Sequence, residues 1–438
     1  MLQTSLFDLE NRYASLSEAG DPLERLDAVI DWEIFRPILA RIDEKARKSA
    51  AGRKPICRVL MFKLLILQRL HNLSDERLQF QVTDRLSFMR FLGLDLAADV
   101  PDARTVWAFR ESLKRHNLSE PLFARLNQAL ADLGVELKSG QIIDATFVPV
   151  PMQRNGREDN EIIKADAVPI EWSKSAAKRA HKDTDARWTK KGGQNHYGYK
   201  NHVNVDKGTK LVTAYATTSA SVHDSQMFEA VLRTADVGGK TVWADSAYRC
   251  EAQEQRLLNS EHDSQIHERA YKDRPLSEAP EADNKHKSRT RVRVEHVFAA
   301  MENEMGGIFL RSIGIARAAL GVALMNLAYN LKRIETLIRM KVFKFTAQGF
   351  VDAVQGSGAK LSMDGKGAWR DNVFVERIWR SVKYERVYLR AYVSVREACA
   401  DIAQYIDWYN CERPHSSHDG YTPEQVHLAG LPALPKAT

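Results

Sequence analysis

Three carboxylate side chains stand in settings that suit chemistry on phosphodiesters. Asp144 lies in QIIDAT and Asp245 in TVWADSAY, and each follows a run of apolar, β-branched residues that predicts a buried strand. Glu295 lies in RTRVRVEHVFAAM, where apolar residues recur at helical spacing at Val294, Val297, Phe298 and Met301. We therefore expect both aspartates at strand ends and the glutamate beside the apolar face of a helix, close to the sheet.

Carboxylates in this arrangement predict a site for divalent metal ions. Mg²⁺ is a hard cation that takes oxygen ligands and keeps several waters, so a few carboxylates can hold it beside a phosphate. Two such ions roughly 3.5–4 Å apart can activate an attacking oxygen and stabilise a leaving one. We expect Asp144, Asp245 and Glu295 to bind two Mg²⁺ or Mn²⁺ ions, with no need for Cys or His ligands.

Each carboxylate also has a simpler interpretation. Asp144 could form a turn after its strand. Asp245 could cap a helix that begins at Ser246, and Glu295 could be an exposed helix residue. The joint occurrence of the three in a basic chain favours the metal site over three separate local roles.

Two basic segments adjoin these carboxylates in the sequence. The first, residues 174–200, mixes basic and aromatic residues, and its candidates for DNA contact are Arg187, Lys190, Lys191 and Lys200. The second, residues 285–293, leads directly into Glu295, and its candidates are Arg291 and Arg293. Basic side chains neutralise phosphates and aromatic rings stack on unpaired bases, so both segments favour bound DNA. The alternative for the first segment is a mobile, solvated loop.

Composition agrees with a multidomain protein that has a polyanionic partner. The 438 residues exceed the usual size of one domain, and 44% are hydrophobic, enough for a sizeable core. A net charge of +7 favours nucleic acid. The 4 cysteines form no C-x-x-C pair, and no signal peptide or membrane span is evident, so we expect a protein of the bacterial cytoplasm, associated with the nucleoid and not with a membrane.

The pattern along the chain predicts four segments. Residues 1–135 are helical, and within them Arg104 and Arg110 are candidates for DNA contact on a helix of a helix-turn-helix, or for the solvated face of an amphipathic helix. Residues 136–340 contain the strands, with a hairpin turn at Lys207-Gly208, and end in a long helix. Residues 341–362 form a junction and residues 363–438 a helical appendage. The fold class is therefore α/β, or mixed α+β.

A further candidate is the His223-Asp224-Ser225 segment. A His-Asp pair can bind metal or move a proton. The commoner role is local, and we expect Asp224 and Ser225 to cap the helix that follows, with a position near the metals as the alternative.

The first 340 residues resemble bacterial insertion-sequence transposases of family five, which carry an Asp-Asp-Glu triad on a ribonuclease H-like core. The matching stretches include QIIDATFVPVP, DARWTKKGGQNHYGYKNHVNVD, VWADSAYR and RVRVEHVFAAM. The resemblance implies that Asp144, Asp245 and Glu295 are the metal-binding triad and that Arg291, four residues before the glutamate, is its arginine. Ser288 and Glu302 stand where related proteins often have Tyr and Lys.

The tail resembles a different family. Residues 363 to about 430 match the end of transposases from insertion-sequence family three, which have an integrase-like core. Glu376 matches the third carboxylate of that family and Lys383 its basic companion, but the two partner aspartates are missing. The chain therefore looks like a fusion, and Glu376 is not expected to be catalytic.

These observations predict a DNA transposase. It would bind the terminal inverted repeats of its element, cut DNA and join it to a target, and pairing of two ends implies a homodimer or a higher oligomer on DNA. Two alternatives are a catalytically inactive remnant that binds the element ends as a repressor, and a nuclease that cleaves without joining.

Overall fold

The computed structural model describes residues 8–43, 56–270, 276–340, 381–382, 385–386, 390, 395–415 and 420–430. The chain divides into two compact units, Met1–Gln348 and Gly349–Thr438. Glu376 and Lys383 lie outside the described residues. Among the helices that are described, none has the length and apolar character needed to cross a bilayer.

Eight α-helices are described in the helical region at the start of the first unit. They are α1 (Asp8–Glu18), α2 (Pro22–Val29), α3 (Arg36–Leu39), α4 (Arg58–Leu70), α5 (Asp75–Asp84), α6 (Leu86–Leu92), α7 (Ala103–Arg115) and α8 (Ser119–Asp132). Ser74 and Asp102 accept hydrogen bonds from backbone N–H groups in the first turns of α5 and α7, as expected of N-caps.

A mixed sheet follows the helices. Its strands are β1 (Gln141–Pro149), β2 (Arg187–Lys191), β3 (Gln194–Asp206), β4 (Val212–Ser219), β5 (Thr241–Ala244) and β6 (Asp263–Ile266). β4, β3 and β1 pair antiparallel, β1, β5 and β6 pair parallel, and β2 pairs with the first half of β3. The order β4-β3-β1-β5-β6 is that of the ribonuclease H-like core, and the predicted hairpin connects β3 to β4.

Eight further α-helices accompany the sheet in the described part of the first unit. They are α9 (Arg157–Lys164), α10 (Ile170–Ser173), α11 (Ala176–Ala180), α12 (Phe228–Val231), α13 (Ala235–Gly238), α14 (Glu251–Asn259), α15 (Glu278–Ala299) and α16 (Ile315–Arg339). A short 3-10 helix, Ser246–Tyr248, follows β5, and a π-helical turn, Ala300–Glu304, extends α15.

One hydrophobic core joins the helical region to the sheet. It contains Phe35 and Phe62 from the helical region, Val203 from β3, and Leu324 and Leu331 from α16, all almost fully buried. The predicted long helix is confirmed as α16, and its apolar side chains belong to the same core as those of the helical region and the sheet. The domain boundaries at residues 135, 340 and 362 remain predictions.

The second unit is described in part. It contains α17 (Val395–Cys411) and α18 (Pro423–Gly430). The hydroxyl of Tyr405 donates to Glu385 at 2.7 Å, and Arg413 pairs with the same carboxylate at 2.6 Å. The predicted helical character is thus present in the described residues of the tail.

Candidate active site

Two neighbouring parallel strands bring the two aspartates together. β1 and β5 pair with Ile142 level with Trp243, and extending that register by two residues sets Asp144 level with Asp245. Adjacent strands lie roughly 4.8 Å apart. The extended register therefore brings Asp245, which directly follows β5, to the height of Asp144, and the charge of Asp245 acts on Asp144.

The expectation that Asp144 ends its strand is wrong. β1 continues to Pro149 because Phe147 and Val148 keep pairing with β3, so Asp144 lies inside the strand and is 7% exposed. Asp245 does follow the last residue of β5. Its carboxylate accepts a hydrogen bond from the N–H of Ala247 at 2.9 Å, so the predicted local cap is present as well.

Helix α15 supplies the third carboxylate and an arginine that joins it to the first. Nη1 of Arg291 donates to Oδ2 of Asp144 at 2.7 Å, and Nη2 donates to Oε1 of Glu295 at 2.9 Å. Val294 and Val297 are fully buried in the core and fix this part of α15 against the sheet. One guanidinium therefore bridges carboxylates from two separate elements.

Burial makes ionisation of Asp144 unfavourable at this site. It raises the pKa of Asp144 to about 6, and the attraction of Arg291 offsets the effect only in part. The hydroxyl of Tyr248 is buried without a hydrogen-bond partner, and burial with the nearby charges of Asp144, Asp224 and Asp245 raises its pKa well above the usual value. Burial therefore disfavours the ionised form of Asp144, which a bound cation would stabilise.

The donor chemistry fits a hard divalent ion, although the carboxylates do not form a closed cage. Carboxylate oxygens are the ligands that Mg²⁺ and Mn²⁺ prefer. Among the described residues no group of three or more Asp, Glu, His or Cys is close enough to hold an ion. Arg291 lies between Asp144 and Glu295, and it supplies the positive charge that an ion would bring.

Comparison with known families decides what this arrangement belongs to. Residues 136–331, which include the three carboxylates, match the family described as "Transposase DDE domain". Residues 10–112 match "Transposase domain (DUF772)", and residues 357–423 match "Integrase core domain". The chain is a DDE transposase with part of an integrase core fused to it. The labels family five and family three remain predictions.

A solved structure is also similar to this transposase. It is the cryo-EM structure of the piggyBac transposase synaptic complex with hairpin DNA, with 12% sequence identity and a TM-score of 0.36. The match covers 87% of this chain and 84% of that one.

The basic residues of β2 and β3 differ in their exposure to solvent and in whether they already form ion pairs. Lys190 and Lys191 are exposed on β2 of the transposase, and Lys191 lies 3.8 Å from Asp224. Lys200 is buried, and its ammonium donates to Asp224 at 2.7 Å. Arg187 pairs with Asp166 at 2.7 Å. Lys190 and Lys191 are therefore the two of this segment best placed to meet DNA.

The other residues predicted to contact DNA also differ in whether their side chains are already bound to other parts of the protein. Nη1 of Arg293 donates to the backbone oxygen of Lys207 at 2.8 Å, which ties α15 to the hairpin turn. Arg104 is exposed at the start of α7. Arg110 lies further along α7. Its Nη1 and Nη2 atoms each donate to the carboxylate of Asp75 at 2.7 Å, so Arg110 has a structural role inside the helical region.

The predicted cap at Asp224 is wrong. Nδ1 of His223 accepts from the N–H of Ser225 and caps a short 3-10 helix, Asp224–Met227. Asp224 is instead buried and pairs with Lys200. The reason is that Lys200, on β3, would otherwise be a buried charge without a counter-ion.

Sequence reasoning missed Tyr248 and the pairing of Lys200 with Asp224. Tyr248 stands three residues after Asp245, and its place in the TVWADSAYR stretch was the available indication. At the two positions that depart from the family pattern, Ser288 Oγ lies 3.4 Å from His267 Nε2 and Glu302 is exposed.

Proposed function

We propose that this transposase cleaves DNA at the ends of its element and joins it to a target with Asp144, Asp245 and Glu295 as the metal-holding catalytic residues. One observation carries the proposal. Asp144 and Glu295 converge on a single guanidinium, and the register of β1 and β5 sets Asp245 beside Asp144. This approach of acidic side chains from three elements distant in sequence supports the assignment, although without an ion the three carboxylates do not form a closed cluster.

The three carboxylates would hold two Mg²⁺ or Mn²⁺ ions, which when bound activate an attacking oxygen and stabilise a leaving one. Arg291 holds the carboxylates in position when no ion is present. Its planar guanidinium can turn from the acids to two non-bridging phosphate oxygens, which it recognises in a bidentate manner. Glu295 is exposed, so its half of the bridge can open towards solvent, while a bound ion would replace Arg291 beside the buried Asp144.

The other finer proposals concern partners. Lys190 and Lys191 on β2 and Arg104 on α7 would contact the phosphates of the terminal inverted repeats or the target. Joining two element ends requires a homodimer or a higher oligomer on DNA, and such a protein would work at the bacterial nucleoid. The transposase domain match supports DNA as the partner.

The test is a cleavage and strand-transfer assay on DNA that carries the element ends, with Mg²⁺. Asp245→Asn should abolish both products while the fold is kept, because Asn can still accept from Ala247 as an N-cap. Asp263→Asn is the matched control, since Asp263 is an exposed aspartate at a strand terminus. Equal loss in both variants would contradict the assignment.

The same assay decides between the enzyme and a repressor. The full chain and a version ending at Met340 are compared, because the fused tail is the one feature that favours an inactive remnant. Binding without cleavage in both lengths would replace the proposal by the repressor. Cleavage without joining would identify a nuclease.

A further inference from the structure

A cavity of about 220 Å³ lies where the helical region meets the start of α16. Its walls come from the end of α4, the start of α5, α7 and the segment that leads into α16, and it shares no lining residue with the carboxylate site. Four arginines line it: Arg69, Arg110, Arg311 and Arg317.

Two of these arginines are neutralised by the acids of the lining. Arg110 donates to Asp75 at 2.7 Å from each nitrogen. Arg317 donates to Glu111 at 2.6 Å and 3.1 Å. The third acid of the lining, Glu76, is exposed. The acidic side chains that are buried at the cavity are therefore already engaged.

Neither of the other two arginines forms an ion pair within the part of the chain that the structure describes, although the charge of Asp75 acts on Arg69 from a longer distance. Arg311 donates to the neutral amide oxygen of Asn72 at 2.8 Å. Nε of Arg69 is buried and makes no hydrogen bond. The hydroxyl of Ser312 is also buried without a hydrogen-bond partner. Two buried donors that line one cavity are thus unsatisfied, although a buried polar group without a partner is destabilising.

The surroundings of Arg69 increase that cost. Burial and the like charges of Arg110 and Arg311 lower its pKa to about 10. The guanidinium also lies close to α16, since a Cβ atom at Gly321 would be 3.3 Å from Nη2. A positive charge is therefore held in a confined place where an anion would stabilise it.

We propose that this cavity binds a phosphate group whose oxygens accept from Arg69 and Ser312. Guanidinium groups match the geometry of phosphate oxygens, and a hydroxyl can donate to a third. The volume of about 220 Å³ is below the roughly 300 Å³ of the smallest pockets for drug-sized ligands. It is several times the roughly 30 Å³ share of a water, so the cavity has room for one phosphate group.

A phosphate here would tie α4 and α7 to the segment that precedes α16. The group could be free inorganic phosphate or one phosphate of a DNA backbone, because both present the same oxygens. The site goes beyond the proposed catalysis, and its test requires no cleavage. Inactivity of the carboxylate triad would therefore leave it unaffected.

The first measurement is thermal unfolding of the full chain with increasing inorganic phosphate, at an ionic strength held constant with chloride. The unfolding midpoint should rise with phosphate. Arg69→Gln should weaken the apparent affinity roughly tenfold or more, and Ser312→Ala a few-fold. Arg77→Gln is the matched control, because Arg77 is an exposed arginine of α5 that does not line the cavity.

Without phosphate, Arg69→Gln should unfold no earlier than the unmodified chain, because it removes an unpaired buried charge. That result separates a ligand site from a purely structural arginine. If Arg69→Gln does not fold, Ser312→Ala carries the same comparison. A phosphate effect that is equal in Arg69→Gln and the unmodified chain would overturn the proposal.

The second measurement identifies the source of the phosphate. The affinity for a duplex without element sequence is measured against salt concentration. If a backbone phosphate occupies the cavity, Arg69→Gln lowers the slope by about one. An unchanged slope together with the phosphate-dependent midpoint assigns the site to the free ion. No midpoint shift and no change of slope would refute the site.

Discussion

Replacing Asp144 by asparagine should stabilise the metal-free protein while it abolishes activity. Burial raises the pKa of Asp144 from 3.8 to about 6. The folded state therefore binds a proton more tightly than the unfolded state does, and ionisation opposes folding. At about 1.4 kcal/mol per pKa unit, the ionised carboxylate lowers the free energy of unfolding by about 3 kcal/mol at neutral pH.

The sign of this effect fixes its pH dependence. Below about pH 4 the carboxyl group is protonated in both states, so it has no effect on stability. Between about pH 4 and pH 6 the unfolded state ionises first, and the free energy of unfolding falls as the pH rises. Asparagine cannot ionise, and its amide oxygen can still accept from Arg291.

The measurement is urea unfolding of Asp144→Asn and the unmodified protein in a chelator. The gain in unfolding free energy should be about 3 kcal/mol at pH 7.5 and about 1 kcal/mol at pH 4.5. Added Mg²⁺ should stabilise the unmodified protein more than the variant, which lacks the ligand. A variant less stable than the unmodified protein at pH 7.5, or a gain that is equal at both pH values, would refute the reasoning.

Two other variants test buried polar groups near the site. Asp224→Asn leaves Lys200 buried without its counter-ion, so the free energy of unfolding in urea should fall by about 3–5 kcal/mol. The double variant Lys200→Met with Asp224→Asn should recover most of this loss. Effects of the two substitutions that simply add would contradict the pairing. His202 is 1% exposed and burial lowers its pKa to about 4. Its folded pKa lies below the unfolded value of 6.5, so it contributes stability above about pH 6.5 that is lost as the pH falls towards 4. The His202→Gln difference from the unmodified protein in urea unfolding should therefore change across this window, and a constant difference would show that His202 does not titrate there.

Local patterns predicted the elements well because their causes are local. The recurrence of apolar residues in α16 follows from the 3.6-residue helical repeat, and the caps at Ser74 and Asp102 involve N–H groups only three residues away. The Lys207-Gly208 turn likewise closes a hairpin between neighbouring strands.

The features that the sequence did not reveal depend on distant partners. Arg110 appeared free to contact DNA because its partner, Asp75, comes from another helix. Asp144 was expected at a strand end because nothing near it shows that β3 extends the pairing of β1. The unsatisfied state of Arg69 depends on α16, far away in the chain. Packing of remote segments decides which charges are paired, and no short window contains that information.

The position at which α16 ends explains how a gene fusion could still encode a protein that folds. Leu337 is the last nearly fully buried side chain of α16, and Met340 is 60% exposed. The segment that matches an integrase core begins at residue 357, beyond the last described residue of the first unit, Met340. A splice one or two turns earlier would have removed Ile334 and Leu337 and opened the core to water. We therefore expect a join inside α16 to yield a product that proteases degrade readily, and a join after α16 to spare the fold of the first unit.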